Sequence, residues 1–237
     1  MTTVEVGTPA LARAAGLVLD AYRGDHVGER IRRALQREGV PDIGSLASLI
    51  ARDQAARTRF RRSIAISVSG LFRDPAQFDL LERKFLPQLI ASGRRVSVWS
   101  AGCADGSELY SVAVLLQRLE VFDSALLLGS DLLDENLAVA RRGVYDGVEF
   151  SPSLRSRLRW ERRDLLREGA TAGKWRLVLC RNLAIYLDRP SKDRLHAALV
   201  GALAHDGILM LGRSERIDNP RVLGLERVEP HVYRRLR

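Results

Sequence analysis

Residues 95–119, RVSVWSAGCADGSELYSVAVLLQRL, decide how the chain is read. Val96, Val98 and Trp99 form a short apolar run of residues that favour strands. Ala101 to Gly106 is a turn of small residues. From Ser107 onward apolar residues return at helical spacing, at Leu109, Val112, Ala113, Leu115, Leu116 and Leu119. Either Ser107 or Asp105 can cap that helix. A strand entering a helix through small residues is how an open α/β sheet makes a ligand crevice at its carboxyl edge. Only small residues let backbone approach a ligand closely. Gly102 and Gly106 do not complete the dinucleotide pattern GxGxxG, so an ordinary strand-to-helix turn also fits.

Downstream, the alternation continues. Strands are expected at 125–131, 157–163, 175–180 and 208–212, helices at 134–141 and 190–204, and a hairpin over 223–236. Asp206-Gly207 reads as a turn. Upstream, helical periodicity runs through 9–22, 26–38, 43–51 and 54–65. Asp74-Pro75 then starts a helix to residue 91 with Phe78, Leu81, Phe85, Leu86 and Leu89 on one face. The fold class is therefore α/β: a Rossmann-like, mostly parallel sheet with an antiparallel terminal hairpin, preceded by a small all-α domain. The boundary is expected at residue 74, giving a helical domain over 1–74 and a sheet domain over 75–237.

Composition limits the function classes. The 237 residues, 46% hydrophobic and 28% charged, describe a soluble globular protein with ample core. No apolar run approaches the ~20 residues of a membrane span. The N-terminus lacks the basic start and apolar core of a signal peptide, so the cytoplasm is the expected compartment. Two cysteines, Cys103 and Cys180, are too few for a disulfide framework and read as small reduced residues near the crevice. The four histidines have no metal-like spacing, and no metal site is expected. A net charge of +9 invites a nucleic-acid reading, but only three lysines occur and the arginines are spread along the whole chain. Charge alone supports only non-specific attraction, so that partner ranks last.

Ligands in such sheets bind outside the carboxyl ends of the strands, which brings Ala101-Gly102, Asp131, Asp164 and Arg181-Asn182 together. An acid ending the second strand suits ribose hydroxyls, although it also reads as a cap for the next helix. Asp164 can accept from an exocyclic amine or serve as an ordinary loop acid.

FRDP (72–75), WSAGCADGSELYS (99–111), SDLLDENLAVAR (130–141), CRNLAIYLD (180–188) and DGILMLGRSE (206–215) occur in the order and spacing of the CheR-type S-adenosylmethionine-dependent methyltransferases, and the chain resembles that family over residues 25–237. The family methylates glutamate side chains of chemoreceptors. The resemblance implies S-adenosylmethionine as cofactor, S-adenosylhomocysteine as product, and an acidic protein substrate such as a chemoreceptor cytoplasmic domain. It implies that Ser67 and Ser69 stand where the family has Asn and Thr, and that Arg73 matches the Arg of its Phe-Phe-Arg. It further implies cofactor contacts at Ala101, Gly102, Glu108, Asp131, Asp164, Leu165, Arg181 and Asn182, with Arg73 shared between cofactor and catalysis. Tyr186 matches the family's tyrosine near the methyl group, so Arg73 and Tyr186 are the expected catalytic residues. A sulfonium is a strong methyl donor and a carboxylate is already ionised, so alignment is most of what catalysis needs. A guanidinium fork can supply it.

Four departures stand out. Leu71 replaces a Phe, Ser107-Glu108-Leu109 replaces Glu-Glu-Pro, and Arg213 replaces a His. Only eighteen residues separate Tyr145 from Asp164, where family members carry a three-stranded β-subdomain that docks the receptor. That segment has room for a short helix and one strand. A methyl acceptor that is a small molecule or a non-receptor protein, and a non-catalytic cofactor-binding scaffold, are the alternative readings.

Overall fold

A computed structural model describes residues 4–65 and 69–236, and the chain divides into two compact units. One comprises residues 4–65 with Tyr186–Asp193; the other comprises 69–185 and 194–236. Residues 69–74 thus group with the sheet.

The first unit holds α1 (Val4–Ala15), α2 (Gly24–Glu38), α3 (Ile43–Arg52) and α4 (Gln54–Ile64). The expected helix over 9–22 is a correction: it ends at Ala15, where the backbone turns left-handed at Gly16, and resumes only as a 3-10 turn at Leu19–Ala21. Asp42 caps α3 through the Ser45 amide, and Asp53 caps α4 through the Ala55 and Ala56 amides. Leu11, Ile31, Ala34, Leu46, Ile50, Phe60 and Ile64 are buried. Arg59 grips Glu38 with two bonds, from Nη2 (2.6 Å) and Nε (3.0 Å), and with Arg37 holds that carboxyl down at about 2.

The second unit begins with α5 (Pro75–Leu80), a π turn at Leu81–Phe85 and α6 (Leu86–Ala91). The alternating part follows as β1 (Ser97–Ala101), α7 (Ser107–Arg118), β2 (Leu126–Asp131) and α8 (Asp134–Arg142). Next come β3 (Val144–Tyr145), β4 (Val148–Glu149), α9 (Pro152–Arg157) and β5 (Leu158–Arg162). The chain ends in β6 (Trp175–Cys180), α10 (Arg189–Ala202), β7 (Leu203–Leu211), β8 (Leu225–Glu229) and β9 (Val232–Arg235). The sheet order is β5-β2-β1-β6-β7-β9-β8, parallel except for the final hairpin. The chain runs outward from β1 through β2 to β5 on one side and from β6 to β7 on the other, so the border of β1 with β6 is the switch point where such sheets open a crevice. β6, which ends at Cys180, is therefore the neighbour of β1, and Cys103 lies in the turn two residues past the end of β1 rather than on the strand.

Two expectations change. β7 starts at Leu203, and Asp206-Gly207 sits within it as an irregularity in pairing rather than ahead of it. The segment after α8 also holds the β3–β4 hairpin, whose Asp146-Gly147 turn has two positive φ angles. Asp-Gly between short apolar residues is the local signal for that turn.

Apolar residues from α5 to α7 and from the strands pack into one core, including Phe78, Phe85, Leu109, Leu116, Leu127 and Leu179. On the far side of β2, Trp160 lies across Gly129, its partner in register, and across Gly106 at the start of α7. An added Cβ would meet the indole at 2.4 Å on Gly129 and 2.6 Å on Gly106. Among the described residues no helix is long and apolar enough to cross a membrane. Gly129→Ala is expected to destabilise the protein by about 1–3 kcal/mol through overpacking. Denaturant unfolding should show that loss, with non-additivity to Trp160→Leu in a double-mutant cycle.

Candidate active site

The carboxyl ends of β1, β2, β5, β6 and β7 carry the chemistry-bearing residues, and the backbone after β1 builds the first wall. Gly102 and Cys103 both donate their amides to Ser130 O at 2.9 Å, and the Ala104 amide donates to Asp131 Oδ2 at 2.9 Å. Gly102 and Ala104 both have positive φ, and Gly106 leads into α7 without a side-chain cap. Of the two candidate caps, Asp105 acts locally by accepting the Ser107 amide at 3.1 Å.

Asp131 is 8% exposed. Its Oδ1 accepts from Leu133 N (2.9 Å) and Asn136 Nδ2 (3.0 Å). Burial pushes its carboxyl up, against the pull of those donors. Asp164 lies at the end of β5, where its Oδ1 accepts from Leu166 N (3.0 Å) and Arg167 N (3.3 Å) and so shapes its own turn. Leu165 beside it is half-buried, and Ser69 is exposed. Ser67 lies outside the described residues.

Arg181, just past β6, is the most heavily engaged side chain here, with 3% of it exposed. Its Nε donates to Gln77 Oε1 (2.9 Å) and its Nη1 to Glu108 Oε2 (3.1 Å). Its Nη2 donates to Arg73 O (2.6 Å) and Asp74 Oδ2 (2.9 Å). The second oxygen of Glu108 accepts from Ser100 Oγ at 2.7 Å. The FRDP turn is thereby fixed on the sheet: Phe72 and Asp74 have φ of 53° and 61°, and the Phe72 amide donates to Ser111 Oγ at 2.8 Å. Arg181 and Glu108 thus carry the Arg73 backbone, in addition to any ligand contact. Arg213 is exposed and lies 4.0 Å from Asp74.

Asn182 has φ of 61°, and among the described residues its buried Oδ1 has no hydrogen-bond partner. At Gly102 an added Cβ would stand 3.1 Å from Leu183 Cδ2. A buried free acceptor and a glycine cradle at the switch point, with Asp131 on the adjoining strand, fit a nucleoside-bearing cofactor. Cys103 and Cys180 are fully buried, which pushes both thiols well up and leaves them poor nucleophiles.

The structure therefore brings Arg73, Ala101, Gly102, Glu108, Asp131, Asp164, Leu165, Arg181 and Asn182 to one unit and one sheet edge. Tyr186 groups with the helical unit, where its ring lies 5.0 Å from that of His26 and its carbonyl accepts from Arg23 N at 2.9 Å. The sequence alone does not mark Asp74, Gln77, Ser100, Ser111 or Glu215 as site residues: Asp74 reads there only as a helix start, and only the packed partner gives each its meaning. Arg181→Ala leaves Glu108 and Asp74 half-buried without their cation. A stability loss of about 3 kcal/mol is expected in chemical denaturation.

The family described as "CheR methyltransferase, SAM binding domain" matches residues 67–151 and 146–230. The chain is similar to the chemotaxis protein methyltransferase of Listeria innocua, with 27% identity covering 95% of this chain and 94% of that one. It is also similar to chemotaxis protein methyltransferase 1 of Pseudomonas aeruginosa, with 27% identity covering 88% of each. A match of that extent, falling on the sheet edge just described, means that the chain belongs to the CheR methyltransferase family and that S-adenosylmethionine is its cofactor.

Proposed function

We propose that this methyltransferase esterifies a carboxylate of an acidic protein in the cytoplasm, a glutamate side chain, with a chemoreceptor cytoplasmic region as the partner class. The observation that carries the reading is the mounting of Arg73. Its carbonyl is held by Arg181, and the turn on either side of it by Ser111 and Asp74, so the base of the side chain is set before any substrate arrives. A guanidinium on a fixed base can hold a carboxylate in one orientation, which is the geometric need of an in-line displacement. The names of the relatives, chemotaxis protein methyltransferases, support the same acceptor class.

The roles divide among this chain's residues. Asp131 accepts from the ribose hydroxyls, and Asp164 with Leu165 borders the adenine. Ser67, Ser69, Ala101, Gly102, Glu108, Arg181 and Asn182 complete the wall, by side chain or by backbone. When bound, the cofactor supplies a methyl group on a positively charged sulfur. No base is required, because a glutamate is ionised at neutral pH. Arg73 orients the acceptor oxygen, and for Tyr186 the proposed role beside the methyl group rests on its match to the family's tyrosine alone. The helical unit is proposed as a domain separate from the catalytic one; of the expected helical range 1–74, residues 69–74 group with the sheet.

One observation favours a second acceptor class. The segment from Val144 to Asp164 holds only a four-residue hairpin ladder, α9 and β5, with Val144 and Val148 about half exposed. That offers little docking surface, as a non-receptor protein or small-molecule acceptor would require.

Two measurements test the proposal. Asp131→Ala should weaken S-adenosylhomocysteine binding by at least tenfold in isothermal titration; unchanged affinity refutes the ribose assignment. With radiolabelled cofactor and a cell lysate, the wild-type protein should place base-labile label on a protein band, and Arg73→Ala should lose most of it while keeping its thermal transition. Label confined to small molecules would select the second acceptor class.

A further inference from the structure

Glu215 is 5% exposed and takes no part in the roles above. It stands four residues past the end of β7. Its Oε2 accepts from Asn182 N (2.6 Å) and Gly212 N (2.8 Å), and its Oε1 accepts from Ala184 N (2.7 Å). One carboxylate thus ties the ends of two adjacent parallel strands, β6 and β7, at the edge where the cofactor lies. The geometry is tight. A Cβ on Gly212 would come within 2.7 Å of Glu215 Oε2, 2.8 Å of Asn182 N and 2.9 Å of Asn182 Nδ2.

The segment that bears Glu215 is itself braced by the terminal hairpin. His231 Nδ1 lies 2.6 Å from Glu215 O, and Tyr233 Oη accepts the Ile217 amide at 2.9 Å. Burial pushes the Glu215 carboxyl up, while the amides of Asn182, Gly212, Ala184 and Ile185 draw it back down. Asn182, for its part, is a non-glycine residue in the left-handed region, a conformation that needs an external hold. With its backbone so held, its buried Oδ1 keeps no protein partner among the described residues.

We infer that Glu215 is a positioning residue of the cofactor site: it fixes the Asn182 backbone so that the Asn182 side chain presents its unpartnered oxygen to the bound nucleoside. The inference rests on the methyl-transfer reading of this edge. Because the carboxylate uses both oxygens, Glu215→Gln keeps the volume but turns one acceptor into a donor facing a backbone N–H. Gly212→Ala reaches the same contact from the other side by wedging a methyl group between the carboxylate and Asn182.

Isothermal titration with S-adenosylhomocysteine decides the matter, on wild type, Glu215→Gln, Gly212→Ala, Asn182→Ala and the Glu215→Gln/Asn182→Ala double variant. Expected are a dissociation constant at least tenfold weaker in Glu215→Gln and Gly212→Ala at undiminished stoichiometry, and no more than a twofold further loss when Glu215→Gln is added to Asn182→Ala. A purely structural role would lower the stoichiometry of binding, as the folded fraction falls, and leave the constant alone; that result overturns the inference. So do wild-type constants in both single variants, or fully multiplicative losses in the double variant. If Glu215→Gln fails to fold, Gly212→Ala and Asn182→Ala carry the same decision. A wild-type protein that does not bind the probe overturns the site reading itself, a distinct outcome.

Discussion

A single buried guanidinium organises the catalytic unit. Arg181 sits just past β6 and reaches two separate pieces of chain: the FRDP turn as it runs into α5, and the first turn of α7. A cation taken out of water is costly unless its donors are matched, and here two carboxylates, an amide oxygen and a carbonyl match them. Its planar fork makes the arrangement directional, so the turn that bears Arg73 has one position relative to the sheet edge. The left-handed Phe72 and Asp74 are tolerated because that network holds them.

Around that cation, the chemistry is divided between anions of different duty. Glu108 and Asp74 neutralise Arg181. Asp131 sits deeper, raised by burial and fed by two backbone amides and Asn136. Glu215 occupies the other side of the switch point and holds amides alone. An edge that must receive a positively charged cofactor therefore keeps several carboxylates in place through fixed donors, with little reorganisation left for the moment of reaction. The buried thiols of Cys103 and Cys180 supply small volume at that edge, and their raised titration keeps them out of the chemistry.

Much of the sheet was legible in advance. β6 lies where the apolar run 175–180 predicted it, and the parallel order with a closing hairpin follows from regular alternation and a turn-bearing tail. Misreadings came where a backbone irregularity outweighed periodicity. The first helix continues apolar past residue 15 but breaks at Gly16, and Asp206-Gly207 looks like a turn yet is absorbed into β7. The β3–β4 hairpin is too short to show a period-two pattern, and only its Asp-Gly turn marked it.

The order of residues by itself determined the fold class, the place of the ligand edge and the family, because strand-ending acids and small-residue turns are local patterns that survive without coordinates. Whether Glu108 and Arg181 face a ligand or one another was decided only by tertiary structure. Hydrogen-bond partners 73 to 108 residues apart along the chain, as for Arg181, leave no local trace. The same holds for Glu215, whose three amides lie just past the ends of two strands that only the folded sheet makes neighbours.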